Sequence, residues 1–344
     1  MLGKDTVLFV TDEKFVSANL LKDALNKDSK FLGITVASSD LESAIKFRTK
    51  KARRFLKANV WKPISAFIHK FYNKIKVPEE PYLCDVMSKK KVYNMFFRYA
   101  PAAVVASDAT IRYSLEEGIK RAGMNVRIFV YSDELGFDFS LLSDSVNHYF
   151  VDNIAVRDKL REKGVSSSAI DVNPLPIESE YFEEKDAGAC KQRVGLEPTK
   201  KLCLVRIGNG EAIETAAMKD TAFITIGENG TADIDENGER KASEQELFFA
   251  ADFIAARFDS VTVKRAAAMK KPLILICDGE KNEEAEYLIA AGKAAAAKNG
   301  REIAELIAKL KTGEISVGYD DADVAAQDKV AARIKELIDE AKMN

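Results

Sequence analysis

Short apolar runs alternate with helical patterns along the chain of 344 residues, and this alternation restricts the fold more than any other feature. A first set of six apolar runs lies at residues 6–10, 31–37, 102–107, 125–132, 148–151 and 169–173. A second set of five runs lies within residues 201–297. Strands that alternate with helices pair in parallel and carry helices on both faces. The sequence therefore predicts an α/β protein with two doubly wound parallel sheets.

A polar stretch in the middle of the chain separates the two sets of strands. We expect a Rossmann-like domain over residues 1–177, a linker over 178–200, a second Rossmann-like domain over 201–318 and a final helix over 319–344. The chain length also favours two domains. The acidic run at residues 319–323 is interpreted as the opening of the last helix rather than as a metal site.

Residues 46–76 form the most unusual segment, with eleven Lys or Arg and no Asp or Glu, although the whole chain has a formal net charge of −2. Apolar residues recur there at helical spacing, and aromatic residues lie among the cations. A basic amphipathic helix pair of this kind is typical of an interfacial membrane anchor. Binding to an anionic membrane surface is therefore predicted for Lys50, Lys51, Arg53, Arg54, Lys57, Trp61, Phe67, Lys70, Phe71 and Lys74.

Two other interpretations of this segment stay open. Its apolar residues would also suit packing on the protein's own core, and its cations would suit nucleic acid. No recognised nucleic-acid motif accompanies them, so no nucleic-acid partner is predicted. No apolar run reaches the ~18 residues of a spanning helix, and a predicted strand starts close to Met1 without a signal-peptide pattern. We expect a cytoplasmic protein, peripheral at the inner face of the membrane.

The cysteines and histidines give no evidence of a metal centre. Cys84, Cys190, Cys203 and Cys277 are isolated in the sequence, and the chain has two histidines. Neither structural zinc nor a disulfide framework is expected from this spacing. No metal and no cofactor are predicted.

Several ordered motifs resemble one glycosyltransferase family. After a strand, a helix ending in Gly-Val and a second strand, the chain continues with Leu175, Pro176, Ile177 and an aromatic residue, Phe182. Residues 200–212 look like the glycine-rich loop that opens the family's donor domain. The family includes monogalactosyldiacylglycerol synthase, processive diacylglycerol glucosyltransferase and the lipid II N-acetylglucosaminyltransferase. The resemblance implies a GT-B fold, with two Rossmann-like domains facing a cleft and a donor domain trimmed before Phe253.

The same resemblance implies a reaction: an inverting transfer of a hexosyl group from a nucleotide sugar to a lipid hydroxyl, without an obligatory metal. Asp12 follows the first strand and is the candidate general base, because a carboxylate can accept the hydroxyl proton. Capping of the next helix is the alternative role for Asp12. Asp133 matches the family's Asp after the fourth strand. The matching donor-binding positions are Gly208, Asn209, Gly210, Gly227, Asn229, Thr262, Arg265, Gly279 and Glu280.

One of these positions departs from the family pattern. The family holds the ribose of UDP with a Glu on a donor-domain helix, and Arg265 occupies that position here. A guanidinium cannot accept hydrogen bonds from a diol. Two functional classes therefore stay open. The first is an active, divergent transferase in which Arg265 pairs with a phosphate of a different donor. The second is a pseudoenzyme that binds a lipid or a partner protein.

Overall fold

The computed structural model describes residues 4–11, 16–41, 89–107, 109–132, 139–207, 218–227, 242–277, 282–320 and 322–343. Within these ranges the chain forms two parallel β-sheets, one of six strands and one of five. The predicted architecture of two doubly wound parallel sheets is confirmed.

The first sheet has the strand order β2-β1-β3-β4-β5-β6, with every neighbouring pair parallel. The predicted strands agree with the observed bounds to within two residues. The strands are β1 (Asp5–Thr11), β2 (Phe31–Ala37), β3 (Ala103–Ala106), β4 (Arg127–Tyr131), β5 (His148–Val151) and β6 (Ile170–Val172). The α-helices are α1 (Val16–Asn26), α2 (Ser38–Leu41), α3 (Lys89–Tyr99), α4 (Ala109–Ala122) and α5 (Ile154–Glu162). Two 3-10 helices cover Phe139–Leu141 and Ser167–Ala169.

Both faces of the first sheet are buried, which explains the continuous apolar runs of its strands. Along β1, Val7 and Phe9 contribute to one core cluster, whereas Leu8 and Val10 contribute to another on the opposite face. This alternation follows from the two-residue repeat of a strand. Helix α1 covers the first face, and helices α3 and α4 cover the second.

The second sheet has the order β11-β10-β9-β7-β8 and is also fully parallel. Its strands are β7 (Lys201–Arg206), β8 (Thr221–Ile226), β9 (Phe253–Ala256), β10 (Leu273–Ile276) and β11 (Ala295–Ala297). Its helices are the 3-10 helix Ser179–Phe182, α6 (Ala187–Arg193), α7 (Glu244–Ala250), α8 (Ser260–Ala268), α9 (Glu283–Ala290) and α10 (Gly300–Thr312).

The chain passes from one core to the other within three residues. Leu175 is buried in the core of the first sheet, and Ile177 is buried in the core of the second. The chain later returns to the first sheet. Its last helix, α11 (Ala326–Met343), packs against α1 and buries Val330, Ile334 and Ile338 in the first core. The expected domain boundaries at residues 177, 200 and 318 remain predictions.

Candidate functional site

The strand orders identify where a ligand would bind in each half. In a parallel sheet, ligands bind outside the carboxyl ends of the strands, at the point where neighbouring connections run in opposite directions. That point lies between β1 and β3 in the first sheet and between β7 and β9 in the second. These strands end at Thr11, Ala106, Arg206 and Ala256.

Three of the predicted site residues belong to the part of the chain that the structure describes, namely Gly227, Thr262 and Arg265. Gly227 directly follows β8, and the other two lie on α8. The catalytic candidates Asp12 and Asp133 lie outside the described residues, as do the donor-site candidates Gly208, Asn209, Gly210, Asn229, Gly279 and Glu280. The whole predicted membrane-binding set, from Lys50 to Lys74, also lies outside them.

Thr262 takes part in the cap of α8. Asp259 is the N-cap residue, and its Oδ2 accepts from the Thr262 backbone N–H at 3.0 Å and from its Oγ1 hydroxyl at 2.6 Å. Arg206, the last residue of β7, donates from Nη1 to the same Asp259 oxygen at 2.5 Å and to Thr262 Oγ1 at 2.7 Å. A helix N-terminus attracts an anion, and here the Asp259 carboxylate already supplies one.

Arg265 lies one turn further along α8 and is 8% exposed. Its Nη2 donates to Oε1 of Glu178 at 2.5 Å, and its Nε donates to Oε2 of the same carboxylate at 3.3 Å. The guanidinium also lies over the ring of Tyr181, 4.7 Å from the ring centre. Burial, the largest single influence, acts to lower the pKa of Arg265, but the hydrogen bond and charge of Glu178 together with the neighbouring Tyr181 and Glu244 raise that pKa above its ordinary value. Thus the predicted donor-binding cation has an internal anionic partner.

Lys264, the neighbour of Arg265, is the centre of a buried ionic cluster. It is 1% exposed, and its Nζ lies 3.0 Å from Oδ2 of Asp152 and 2.5 Å from Oδ2 of Asp320. Lys293 donates to the other Asp320 oxygen at 2.8 Å. The other Asp152 oxygen accepts the backbone N–H of Leu175 at 2.8 Å. The cluster was not predicted from the sequence, because Asp320 was interpreted as part of an acidic run that opens the last helix and the other members form no recognisable motif. Asp320 instead bonds Lys264 and Lys293, and the last helix begins at Ala326.

The two carboxylates of the cluster differ in their pKa. Burial raises the pKa of Asp152 above its ordinary value, since attraction to Lys264 does not offset the lost hydration. Burial acts upward on Asp320 as well, but Lys264 and Lys293 together hold the pKa of Asp320 below its ordinary value. The difference follows from the second lysine beside Asp320.

Helix α3 presents a surface that sequence analysis also missed. Its Val92, Met95 and Phe96 are buried, whereas Tyr93 and Phe97 are 40% and 58% exposed, with ring centres 4.6 Å apart. The helix contains no acidic residue. We define the α3 surface as these two aromatic residues together with the exposed cations Lys90, Lys91 and Arg98.

The α3 surface begins at the carboxyl edge of the first sheet. Helix α2 directly follows the carboxyl end of β2, and Lys91 donates from Nζ to the carbonyl of Asp40 in α2 at 2.9 Å. The first turn of α3 therefore lies on the side of the sheet where a ligand is expected. Among the described residues, no helix is both long enough and apolar enough to span a bilayer. The described residues also contain no cluster of three His, Cys, Asp or Glu suited to a metal ion.

No protein-family model matches the chain. A search of curated proteins finds the processive diacylglycerol beta-glucosyltransferase of Bacillus licheniformis, 23% identical over 270 residues, which cover 72% of this chain and 69% of that protein. The enzyme of the same name from Bacillus subtilis gives the same identity and coverage.

Solved structures match over nearly the whole chain. A putative UDP-N-acetylglucosamine 2-epimerase from Listeria monocytogenes has a TM-score of 0.60 at 13% identity and covers 98% of both chains. The Acinetobacter baumannii MurG structure has a TM-score of 0.53 at 9% identity and covers 96% of this chain and 99% of its own. The predicted GT-B fold is therefore confirmed by the solved structures, and the sequence is similar, at 23% identity, to diacylglycerol glucosyltransferases.

Proposed function

We propose that the protein is a glycosyltransferase that moves a hexosyl group from a nucleotide sugar to a lipid acceptor at an anionic membrane surface. The observation that carries this proposal is the similarity to diacylglycerol glucosyltransferases over 270 residues. The GT-B fold supports it, because a cleft between two Rossmann-like domains can hold a nucleotide donor and an acceptor side by side.

In the proposed reaction, the oxygen of the lipid hydroxyl attacks the anomeric carbon of the sugar. A new glycosidic C–O bond forms while the bond between the anomeric carbon and the diphosphate oxygen breaks, which inverts that carbon. The hydroxyl proton passes to a carboxylate, for which we propose Asp12, and the nucleoside diphosphate leaves with the electron pair. Asp133 is proposed as the second carboxylate of this acceptor side.

Nucleotide binding tests the donor part of the proposal. UDP, UDP-glucose, UDP-N-acetylglucosamine, ADP and GDP are added separately, and the melting temperature is measured. A ligand present at one hundred times its Kd stabilises the folded state by about 2.7 kcal/mol. At least one nucleotide should raise the melting temperature, and transfer to a diacylglycerol-containing vesicle should then cease in the Asp12→Asn variant. A flat response to all five nucleotides would exclude the transferase proposal.

A specific observation favours a second candidate function. At the α8 position where the resembled family binds ribose, the Arg265 guanidinium is bonded to Glu178 and stacked on Tyr181. A scaffold whose donor position is filled in this way would act as a pseudoenzyme that binds a lipid or a protein. The flat nucleotide panel described above is the result that this candidate predicts.

Membrane contact is proposed for both candidates. The basic segment 46–76 supplies the sequence support, and the α3 surface supplies exposed aromatic and cationic side chains in the same half. Each cation near an anionic leaflet contributes about 1 kcal/mol. Sedimentation with anionic vesicles should show salt-sensitive binding that is lost when Lys50, Lys51, Arg53 and Arg54 are changed to Glu.

A matched control separates a local surface from a general charge effect. Four exposed lysines elsewhere, when changed to Glu, alter the net charge by the same amount; they are Lys159, Lys163, Lys219 and Lys298. This control should retain vesicle binding. Equal binding to neutral and anionic vesicles, or equal loss in both variants, would contradict the proposed membrane surface.

A further inference from the structure

Helix α8 contacts the cores of both sheets. It follows β9 of the second sheet, and its Val263 and Ala266 are buried in that sheet's core. Val261, on the same helix, packs against the core of the first sheet. Helix α8 therefore lies at the joint between the two halves, and not only at the proposed donor site.

In the described ranges, each passage of the chain between the two cores has a carboxylate bound to α8. At the outward passage, Asp152 accepts the N–H of Leu175 and lies 3.0 Å from Lys264 Nζ. Glu178 comes directly after Ile177 and is bonded to Arg265 through both of its oxygens.

The return passage is held in a similar way. The N–H of Gly318 donates to the carbonyl of Gly292 at 2.8 Å, which keeps this segment against the second half. Two residues later, Asp320 is bonded to Lys264 and Lys293. Helix α11 then begins at Ala326 and packs on the first sheet.

We infer that α8 is an inter-domain clamp, in which the consecutive cations Lys264 and Arg265 bind carboxylates at both chain passages and so fix the orientation of the two sheets. Burial makes the clamp specific for one relative orientation of the two sheets. Lys264 and Asp152 have side-chain exposures of 1% and 2%, and a buried charge is tolerated only when it is paired. Rotation of one sheet against the other would separate these pairs, so intermediate orientations are disfavoured. This role is independent of any transfer chemistry.

Small-angle X-ray scattering of the full chain tests the clamp. The variant that combines Lys264→Met, Asp152→Asn and Asp320→Asn removes the three most buried charges together and leaves the partly exposed Lys293. Neutral replacement of all the buried charges in an ionic group often preserves folding. We expect an unchanged far-ultraviolet circular dichroism spectrum and a wider distribution of interatomic distances. The matched control is Glu305→Gln, which breaks an exposed pair with Arg301 on α10; its scattering should equal that of the wild type.

A scattering curve of the folded triple variant that superimposes on the wild type would overturn the clamp. Hydrogen exchange on the wild-type protein decides the question if the triple variant does not fold. The clamp predicts that the Leu175 and Gly318 amides exchange no faster than the amides within strands β5 and β7. Exchange about tenfold faster at both passages would show that the joint opens independently of the sheets and would equally overturn it.

Discussion

Helices α3 and α8 both carry cations and lie against a parallel sheet, but the cations of the two helices have opposite surroundings. On α3, Lys90, Lys91 and Arg98 are exposed beside two exposed aromatic rings, and the helix has no acidic residue. The α8 cations, Lys264 and Arg265, are buried, and each is bonded to a carboxylate from elsewhere in the chain. The first helix therefore leaves its charge exposed to solvent, whereas the second has its charge neutralised internally.

The number of cations on a helix therefore does not by itself indicate a ligand site. A surface cation keeps its hydration, and its pairing changes stability by about 0 to 1 kcal/mol. A buried cation has lost its hydration and depends on its partners. Changes on α8 should therefore alter stability, while changes on α3 should alter binding and leave stability nearly unchanged.

The largest effect is expected for Lys264→Met alone. This change leaves the buried Asp152 carboxylate without its ammonium partner, while Asp320 keeps only Lys293. Removing one partner of a buried ion pair costs roughly 3 to 5 kcal/mol. Urea unfolding followed by circular dichroism measures the loss. Lys90→Met, at an exposed position of α3, is the control and should change the free energy of unfolding by less than about 0.5 kcal/mol. Equal effects of the two changes would remove the contrast between the helices.

A smaller loss is expected for Arg265→Ala. Hydrogen bonds to charged groups contribute about 1.5 to 3 kcal/mol, and Glu178 is partly exposed, so water can replace part of the lost pairing. Arg265→Lys should recover only part of this loss, because an ammonium cannot reproduce the two-point contact of a guanidinium. Arg301→Ala, at an 85% exposed side chain, is the control in urea unfolding. Full recovery by lysine would show that charge alone matters at this position.

On α3, the combined change Tyr93→Ser and Phe97→Ser should weaken binding to anionic vesicles about tenfold, which corresponds to about 1.4 kcal/mol. The reason is that both rings expose apolar area that a bilayer interface would cover. The control is Tyr287→Ser on α9, where a 48% exposed tyrosine lies on a helix with Glu283, Glu284 and Glu286 in its first turn. Unchanged vesicle affinity in the α3 variant would exclude this surface from membrane contact.

The smallest effect concerns acid. The pKa of Asp320 is lowered in the folded state, so its contribution to stability is fully present above its ordinary pKa of 3.8 and is lost as the pH falls through the lower folded value. Asp152 has a raised pKa and acts in the opposite direction, since its protonation relieves an unfavourable buried charge. Asp320→Asn should therefore flatten the fall in unfolding free energy below about pH 4.

The α3 surface differs from the ionic cluster in its response to acid. The α3 surface contains no carboxylate that could add to the acid dependence. Urea unfolding at several pH values measures the slope for the wild type and for Asp320→Asn. A steeper slope in the variant would show that Asp320 does not have the lowered pKa described above.

Much of the fold could be predicted because its strands are buried on both faces. β2 and β5, for example, were predicted with their observed bounds, since their apolar runs end at polar or turn residues. The ionic cluster could not be predicted from the same pattern. Lysine and aspartate are normally exposed, and the pairing of Lys264 with Asp320 joins residues 56 positions apart. Long-range pairing of charges leaves no periodic signal in a sequence.

The candidate site itself stays a prediction. The strand ends are at the carboxyl edges of both sheets, and of the glycine-rich and acidic positions predicted to follow them the structure describes Gly227. The surroundings of Arg265 were not predictable, because Glu178 and Tyr181 lie 87 and 84 residues earlier in the chain. The exposed aromatic surface of helix α3 was also not predicted, because Tyr93 and Phe97 lie next in sequence to the buried Val92 and Phe96.

Helix α11 has a consequence for biosynthesis. A ribosome makes the strands of the first sheet early, but Val330, Ile334 and Ile338, which complete one face of its core, are made more than 150 residues after β6. During that interval the α1 side of the sheet is incompletely covered, and exposed apolar surface of this kind promotes aggregation. The half of the molecule that is synthesised first is therefore the half that matures last.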